Sequence, residues 1–390
     1  MKSCGFLSIV FVVFVFAMPH MAFAQQVTEQ FKKPMPKVEF MPAAEFEAQT
    51  DLITEKMPDD LALSYSMRVP KNWKASGGVG AYNITVGNKV LTELKTFFGP
   101  PSVTAERSKL VIDAVGLDYG MTAEQWFMQY LLANGYNLQG LEVYDKDNAE
   151  ALYVLIDNNI SYAVRSVARM NGKRVLFAQH YIPVERWHDE KVMQAQMLDS
   201  FRPINDVEVH VEEMESFQFL DIAEFQYPTT WTLRALPIRS IDRMKVEIIK
   251  TAVVETSDGK PQTRLDGQID VEMASIFASD TLEEEIEKFR SALADKGLVL
   301  GDVIEIRDDF LLGDRFDFVD TQVYKVTDVD AKLIEHELWV TIMAAGDYYY
   351  FVTLFTPSRD HDYFLWGRNV ETYKLITSLI EPKGDTVADP

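Results

Sequence analysis

The chain has 390 residues, enough for two or three domains, and 47% of them are apolar, which excludes a mainly disordered protein. The formal net charge is −22 at pH 7. So acidic a chain is not expected to bind nucleic acid without sequence preference, because that activity needs Lys and Arg against phosphate.

The negative charge is concentrated in the second half of the chain. Residues 1–200 carry 19 basic and 22 acidic side chains, a net of −3, whereas residues 201–390 carry 19 and 38, a net of −19. The second half is therefore expected to repel polyanions and anionic membranes. Two interpretations stay open: a solubility bias of one domain, or a docking face for a basic partner or for divalent cations.

The N-terminus has the pattern of a secretory signal peptide over residues 1–24. Lys2 precedes the apolar run Phe6–Ala17, and Ala22-Phe23-Ala24 fits the small-x-small cleavage pattern. We expect cleavage after Ala24. We also expect no integral membrane span in the mature chain, because a span takes about 20 apolar residues. An N-terminal anchor that is kept is the alternative.

The cysteine content fits export. Cys4 is the only cysteine and would leave with the signal peptide, so the mature chain would have no disulfide, no thiolate metal site and no cysteine nucleophile. A cysteine-free exported protein of this size fits a bacterial periplasm better than a eukaryotic extracellular space. The predicted location is therefore periplasmic or secreted, in a bacterium.

Domain boundaries are predicted from proline content and acidic composition. Residues 25–60 contain several prolines and no lasting apolar period, which indicates an extended arm with a short helix near Ala43–Glu55. Two globular blocks are predicted to follow, separated by an acidic linker and ended by a tail: the blocks cover 61–204 and 218–383, the linker 205–217 and the tail 384–390.

The two blocks repeat the same order of features. Each begins with an aromatic strand, a proline and a tryptophan, in Tyr65–Trp73 and again in Phe225–Trp231. We expect Trp73 and Trp231 to anchor the two cores. Repetition at this scale indicates a duplicated domain.

An amphipathic helix is predicted in the middle of each block. Thr122–Gln125 and Thr281–Glu284 are capping boxes, in which a hydroxyl satisfies a free backbone N–H at the start of a helix. Gly135 and Gly297 supply the left-handed residue that commonly ends one. Apolar residues at three- and four-residue spacing between these signals predict one buried helix face.

Strands and a closing helix complete each block. β-like runs precede the middle helix, and further strands follow it. The strands predicted after it are Leu138–Tyr144, Ala151–Asp157, Ser161–Met170 and Arg174–Ile182 in the first block, and Leu298–Arg307, Arg315–Asp320, Glu335–Ala344 and Tyr348–Phe355 in the second. The closing helices are predicted at Asp189–Phe201 and Val370–Ile380, with Phe201 and Leu379 buried.

This order of elements predicts the α+β class, with two tandem domains, each a mostly antiparallel sheet flanked by helices. The aromatic strand followed by Pro and Trp, the middle helix and the closing helix resemble the PsbP/DcrB-like group of exported domains. The resemblance covers both blocks and rests on turn and packing signals. It implies an accessory or assembly role, and it transfers no catalytic residue and no cofactor. The lipoprotein branch carries a lipobox, which this chain lacks.

Catalytic and metal-binding motifs are scarce in the sequence. It contains no G-x-S-x-G, Walker A, H-E-x-x-H or G-x-G-x-x-G pattern, so we predict no catalytic residue, cofactor or tight metal site. Two His-Asp pairs occupy equivalent places after Pro183 and Pro357. They are interpreted as helix caps or as a weak cation loop: His188, Asp189, His361 and Asp362. An exposed aromatic strip for binding is a further hypothesis, at Tyr348 and Tyr350.

Three functions remain compatible with the sequence. The first is an exported, non-catalytic binding or assembly protein of the cell envelope, whose partner is another envelope protein. The second is a metal-assisted hydrolase that uses His361 and Asp362. The third is a small-ligand binder with a cleft between its two domains.

Overall fold

The computed structural model describes residues 33–76, 91–101, 106–235, 240–255, 259–278, 281–295, 297–307, 312–327 and 336–383. The predicted signal peptide and tail lie outside these ranges. Within them the chain forms two seven-stranded and two three-stranded antiparallel sheets. One sheet of each size comes from each half of the chain, so the predicted α+β class with two tandem domains is confirmed.

The first domain runs from Ala43 to Pro203. Its strand orders are β3-β4-β5-β9-β8-β7-β6 in the large sheet and β1-β2-β10 in the small one. Its helices are α1 Ala43–Gln49, α2 Ala123–Asn134 and α3 Trp187–Asp199. Its strands are β1 Thr50–Glu55, β2 Tyr65–Pro70, β3 Lys74–Ser76, β4 Thr92–Phe98, β5 Lys109–Gly116, β6 Asn137–Asp145, β7 Asn148–Asp157, β8 Ile160–Asn171, β9 Arg174–Pro183 and β10 Arg202–Pro203.

The second domain runs from Met214 to Pro382 and repeats this topology, with orders β13-β14-β15-β19-β18-β17-β16 and β11-β12-β20. Each strand thus has a counterpart ten strands earlier. Its helices are α4 Leu282–Asp295 and α5 Tyr363–Ser378. Its strands are β11 Met214–Phe219, β12 Ala223–Pro228, β13 Thr232–Ala235, β14 Arg243–Glu255, β15 Pro261–Ser275, β16 Val299–Arg307, β17 Phe318–Thr327, β18 His336–Ala345, β19 Tyr348–Pro357 and β20 Glu381–Pro382.

The middle helices begin and end where their capping residues predict. Thr122 Oγ1 accepts a hydrogen bond from the Gln125 backbone N–H at 3.2 Å, and the Gln125 side chain accepts one in return at 3.1 Å. Thr281 caps α4 in the same way, by accepting from Glu284 N at 3.2 Å. Gly135 and Gly297 follow these helices with positive φ angles of 64° and 79°. Glycine adopts such angles readily because it has no Cβ.

Two segments expected to lie outside the domains contribute edge strands. The helix predicted over Ala43–Glu55 ends at Gln49, and the remaining residues form β1, which pairs with β2. The end of the predicted acidic linker forms the start of β11, which pairs with β12. The helix prediction was wrong over Thr50–Glu55 because a strand that pairs with a distant partner leaves little local signal.

The closing helices differ from the prediction in detail. Phe201 is fully buried and packs against Tyr65, with ring centroids 5.5 Å apart, as predicted. Leu379 is only half-buried, so that prediction was wrong, and its neighbour Ile380 is buried instead. Helix α5 also begins seven residues before the predicted start, at Tyr363.

The first turns of α5 connect the two domains. Tyr363 and Phe364 pack against the apolar core of the first domain, beside α2. Gly367 allows this approach, since a Cβ there would lie 3.0 Å from Nε2 of Gln125. The Arg368 guanidinium lies 4.6 Å from the ring centre of Tyr119, which belongs to the first domain. In the part of the chain that the structure describes, no helix is both long and apolar enough to span a membrane.

Candidate ligand-binding cleft

The predicted His-Asp pairs lie at the starts of the two closing helices, in different domains. His188 and Asp189 are exposed in the first turn of α3. His361 is also exposed, and Asp362 caps α5 by accepting a backbone hydrogen bond at 3.0 Å. The cap interpretation therefore holds for Asp362 and was wrong for Asp189, because α3 begins two residues earlier than expected. Among the described residues, no three His, Cys, Asp or Glu side chains are placed to share a metal ion.

The aromatic strip proposed on β19 is not exposed as a whole. Tyr350 is only 1% exposed and belongs to the core of the second domain, so it cannot line an exposed strip. Tyr348 is half-buried and packs against the same core. Alternation along the strand places both side chains on the core face. The hypothesis was wrong because this face of the sheet is covered.

A cleft of about 440 Å³ opens in the first domain instead. It lies between the turn that follows β2, the facing ends of β4 and β5, strand β9, and the start of α3. Two features make it a candidate site: an aromatic wall and a cluster of polar side chains. The residues that matter for its chemistry are Trp73, Gly99, Ser108, His180, Arg186 and Glu190.

His180 is the most unusual of these residues. It is 1% exposed, and neither of its ring nitrogens has a hydrogen-bond partner among the described residues. Its ring meets Trp73 edge to face, with centroids 5.1 Å apart. Burial lowers the pKa of His180 to about 3, so the imidazole is neutral near pH 7. A buried polar group without a partner costs about 1–3 kcal/mol of stability, which calls for an explanation.

A second polar group of the cleft centres on Glu190. One carboxylate oxygen accepts a hydrogen bond from the Ser108 hydroxyl, and the other pairs with Nη2 of Arg186. Nη1 of Arg186 is buried and has no partner within the described part of the chain. The cleft therefore holds two nitrogen groups, on Arg186 and His180, whose hydrogen-bonding capacity is not used within the described structure.

The arrangement does not have the geometry of serine catalysis. A serine nucleophile needs a general base within hydrogen-bond reach of its hydroxyl. Ser108 donates to Glu190, which is engaged by Arg186, and it makes no hydrogen bond with His180. The contacts of Glu190 with Ser108 and Arg186 hold these side chains in place. Nitrogens of Arg186 and His180 are left without hydrogen-bond partners among the described residues, an arrangement that suits ligand binding.

The second domain provides an internal comparison. Strands β9 and β19 have ten residues each and end at Pro183 and Pro357, so His180 corresponds to Leu354. Leu354 is fully buried in the same apolar core as Trp231, which is 2% exposed. At one repeated position the second domain thus has an ordinary core residue, whereas the first has a buried histidine beside a cleft.

Sequence reasoning missed this cleft, although one signal was present. The matching strand ends, Tyr-Ile-Pro183 and Phe-Thr-Pro357, align His180 with Leu354. Comparison of the two repeats shows that the first has histidine at a buried strand position where the second has leucine. The other half of the signal, the missing hydrogen-bond partner, depends on tertiary contacts that the sequence does not show.

The opposite face of the same sheet carries a polar network of another kind. Oε1 of Gln179 accepts hydrogen bonds from Tyr130, Tyr153 and Tyr181 at 3.0, 2.8 and 3.1 Å. Its Nε2 donates to Asp113 at 2.8 Å. Burial raises the pKa of Asp113 to about 6. Because these partners satisfy one another, the network contributes to the core.

Comparisons with known proteins bear on the fold. No family model matches the chain, and no curated protein matches it. The solved structures that are similar to part of the chain include the following three. A cyanobacterial PsbP from Synechocystis is 14% identical, covering 43% of this chain and 98% of its own, with a TM-score of 0.29. The Ran-binding protein Mog1p of Saccharomyces cerevisiae is 7% identical, covering 40% and 97%, with a TM-score of 0.27.

The third structure is LpqN, which is involved in cell envelope biogenesis of Mycobacterium tuberculosis. It is 8% identical, covering 42% of this chain and 98% of its own, with a TM-score of 0.27. The likeness concerns the fold alone.

Proposed function

We propose that this protein is an exported, non-catalytic binding protein of the cell envelope and that the cleft of its first domain is its recognition site. The observation that carries the proposal is His180, a buried and unpartnered histidine at a repeated position where the second domain has Leu354. The envelope location rests on the signal-peptide pattern of residues 1–24.

Duplication allows the two domains to differ in role. The second domain fills the equivalent position with Leu354 and extends Tyr363 and Phe364 onto the first domain. We interpret the second domain as a support that holds the first in place. The first domain keeps a polar cleft in which the buried, unpartnered His180 lowers the stability of the core. We interpret this loss of stability as the cost of a site that binds a ligand.

The matched Pro-x-x-Trp turns offer a direct experiment. Asn72 lines the cleft, and Thr230 is the equivalent, exposed residue of the second domain. A photoreactive benzoylphenylalanine is placed at each position in the full chain, and covalent adducts formed in cells are identified by mass spectrometry. The same two variants are repeated with His180→Leu.

The proposal predicts an adduct from Asn72 that is lost or strongly reduced with His180→Leu, and no such adduct from Thr230. Equal adducts from both positions, or an Asn72 adduct that persists with His180→Leu, would show that the cleft is not the recognition site. Thermal unfolding of each purified variant checks that the fold is intact. The His180→Leu change is a mild one, because the second domain already has leucine there.

A further inference from the structure

We infer that the group recognised in the first-domain cleft is a carboxylate, held by Arg186 and His180, on a ligand whose apolar part lies against Trp73. This inference rests on the proposed function and adds the chemical class of the ligand. The carboxylate belongs either to a small organic acid or to the C-terminus of a peptide, and the experiment below separates the two sources.

The unpartnered nitrogens of Arg186 and His180 determine which ligand group the cleft can bind. A guanidinium only donates hydrogen bonds, and a neutral imidazole donates one. Nη1 of Arg186 and the ring of His180 are buried and have no acceptor among the described residues. A carboxylate only accepts, and its two oxygens can take one hydrogen bond from each of these groups, with a charge-assisted bond to Arg186.

The charges that line the cleft favour an anion over a cation. Lys71 and Arg186 are the cationic residues of the lining, and Glu190 is the anionic one. Both oxygens of Glu190 are already engaged, one by a hydrogen bond from Ser108 and the other by an ion pair with Arg186. This carboxylate therefore positions Arg186 rather than offering itself to a cationic ligand. In a chain of net charge −22, a lining with more cationic than anionic groups is a local exception.

The remaining walls fit an apolar group beside the carboxylate. Trp73 is half-buried, and Met193 and Pro100 also line the cleft. A side chain at Gly99 would place Cβ 3.3 Å from the Trp73 ring, so glycine keeps this contact uncrowded. A volume of about 440 Å³ accommodates a small aromatic acid or the last residues of a peptide.

Isothermal titration calorimetry of the full mature chain tests the inference with two matched pairs of probes. Benzoate is compared with benzamide, and the tripeptide Ala-Ala-Phe as its free acid is compared with its C-terminal amide. The variants are His180→Leu, Arg186→Gln and the conservative Arg186→Lys. Arg202→Gln is the control, because it removes one positive charge from an arginine outside the cleft.

We expect at least one acid to bind about tenfold or more tightly than its amide, which corresponds to one charge-assisted interaction. His180→Leu and Arg186→Gln should remove that preference, Arg186→Lys should retain part of it, and Arg202→Gln should leave it unchanged. Binding of benzoate alone would identify a small acid, and binding of the free tripeptide alone would identify a peptide C-terminus.

Two results would overturn the carboxylate inference without touching the proposed function. In the first, acid and amide bind equally, which shows that the cleft binds ligands but does not select a carboxylate. In the second, no probe binds although the Asn72 photo-adduct depends on His180. The proposed function fails separately, through an adduct that does not depend on His180.

Discussion

The substitution His180→Leu should make the stability of the protein less sensitive to acid. Burial lowers the pKa of His180 from 6.5 to about 3. In the unfolded chain the imidazole binds a proton below about pH 6.5, whereas in the folded chain it stays neutral down to about pH 3. The free energy of unfolding is therefore unaffected by the protonation of His180 above about pH 6.5. It decreases as the pH falls from about 6.5 to about 3, because only the unfolded chain binds the proton in that range.

The magnitude follows from the width of that window. Each pH unit below 6.5 lowers the free energy of unfolding by about 1.4 kcal/mol for a group that protonates only when unfolded. Between pH 7.5 and pH 5.0 His180 should therefore account for a loss of about 2 kcal/mol. The leucine variant lacks this contribution, and at pH 7.5 it also lacks a buried polar group without a partner.

Urea unfolding followed by tryptophan fluorescence measures the effect. Wild type and His180→Leu are compared at pH 7.5 and pH 5.0, and the difference between the two changes isolates His180 from all other titrating groups. We expect the variant to lose about 2 kcal/mol less than wild type over this interval. An identical pH dependence in the two proteins would refute the account of His180 as a buried, neutral and unpartnered group.

Further predictions concern the sheet, the core and the contact between domains. Asp113→Asn should raise the free energy of unfolding at pH 7.5 by up to about 3 kcal/mol. The folded-state pKa of Asp113 is about 6, so the stability of the wild type falls as the pH rises from about 4 to 6, and asparagine does not titrate. Denaturant titrations at pH 7.5 and pH 4.0 should therefore show a gain at the higher pH only. Phe201→Ala should cost about 3–5 kcal/mol, since the ring is fully buried, and Leu379→Ala should cost clearly less, in parallel urea titrations. Gly367→Leu should separate the unfolding of the two domains into two calorimetric transitions, because a larger side chain would meet Gln125; a single unchanged transition would show that this contact does not couple them.

The features of the fold that local sequence determines were predicted well. The capping box at Thr122 fixes the start of α2 and Gly135 fixes its end, and both appear as expected. The strands after this helix were also predicted nearly to their ends, because alternating and β-branched residues mark them and turn residues separate them. Repetition of the same signals in the second half then indicated the duplicated domain.

The sequence did not predict the features of the fold that depend on contacts between residues far apart in the chain. Strand β1 exists because β2 lies beside it, and nothing within Thr50–Glu55 identifies that partner. Tyr350 was taken as exposed because the sequence does not show which face of β19 is covered. His180 was one histidine among several until the structure showed that its ring is buried without a hydrogen-bond partner.

The most direct measurement of the central claim is the histidine side-chain NMR spectrum of the mature protein, labelled with ¹⁵N at histidine. His180→Leu assigns one resonance, and His188 and His361 serve as exposed references. The protein is titrated with the small-molecule and peptide fraction of an envelope extract from its own cells. If the cleft is the recognition site, the His180 resonance shifts and the two reference resonances stay in place. A His180 resonance that remains unchanged while the exposed histidines respond would contradict the account.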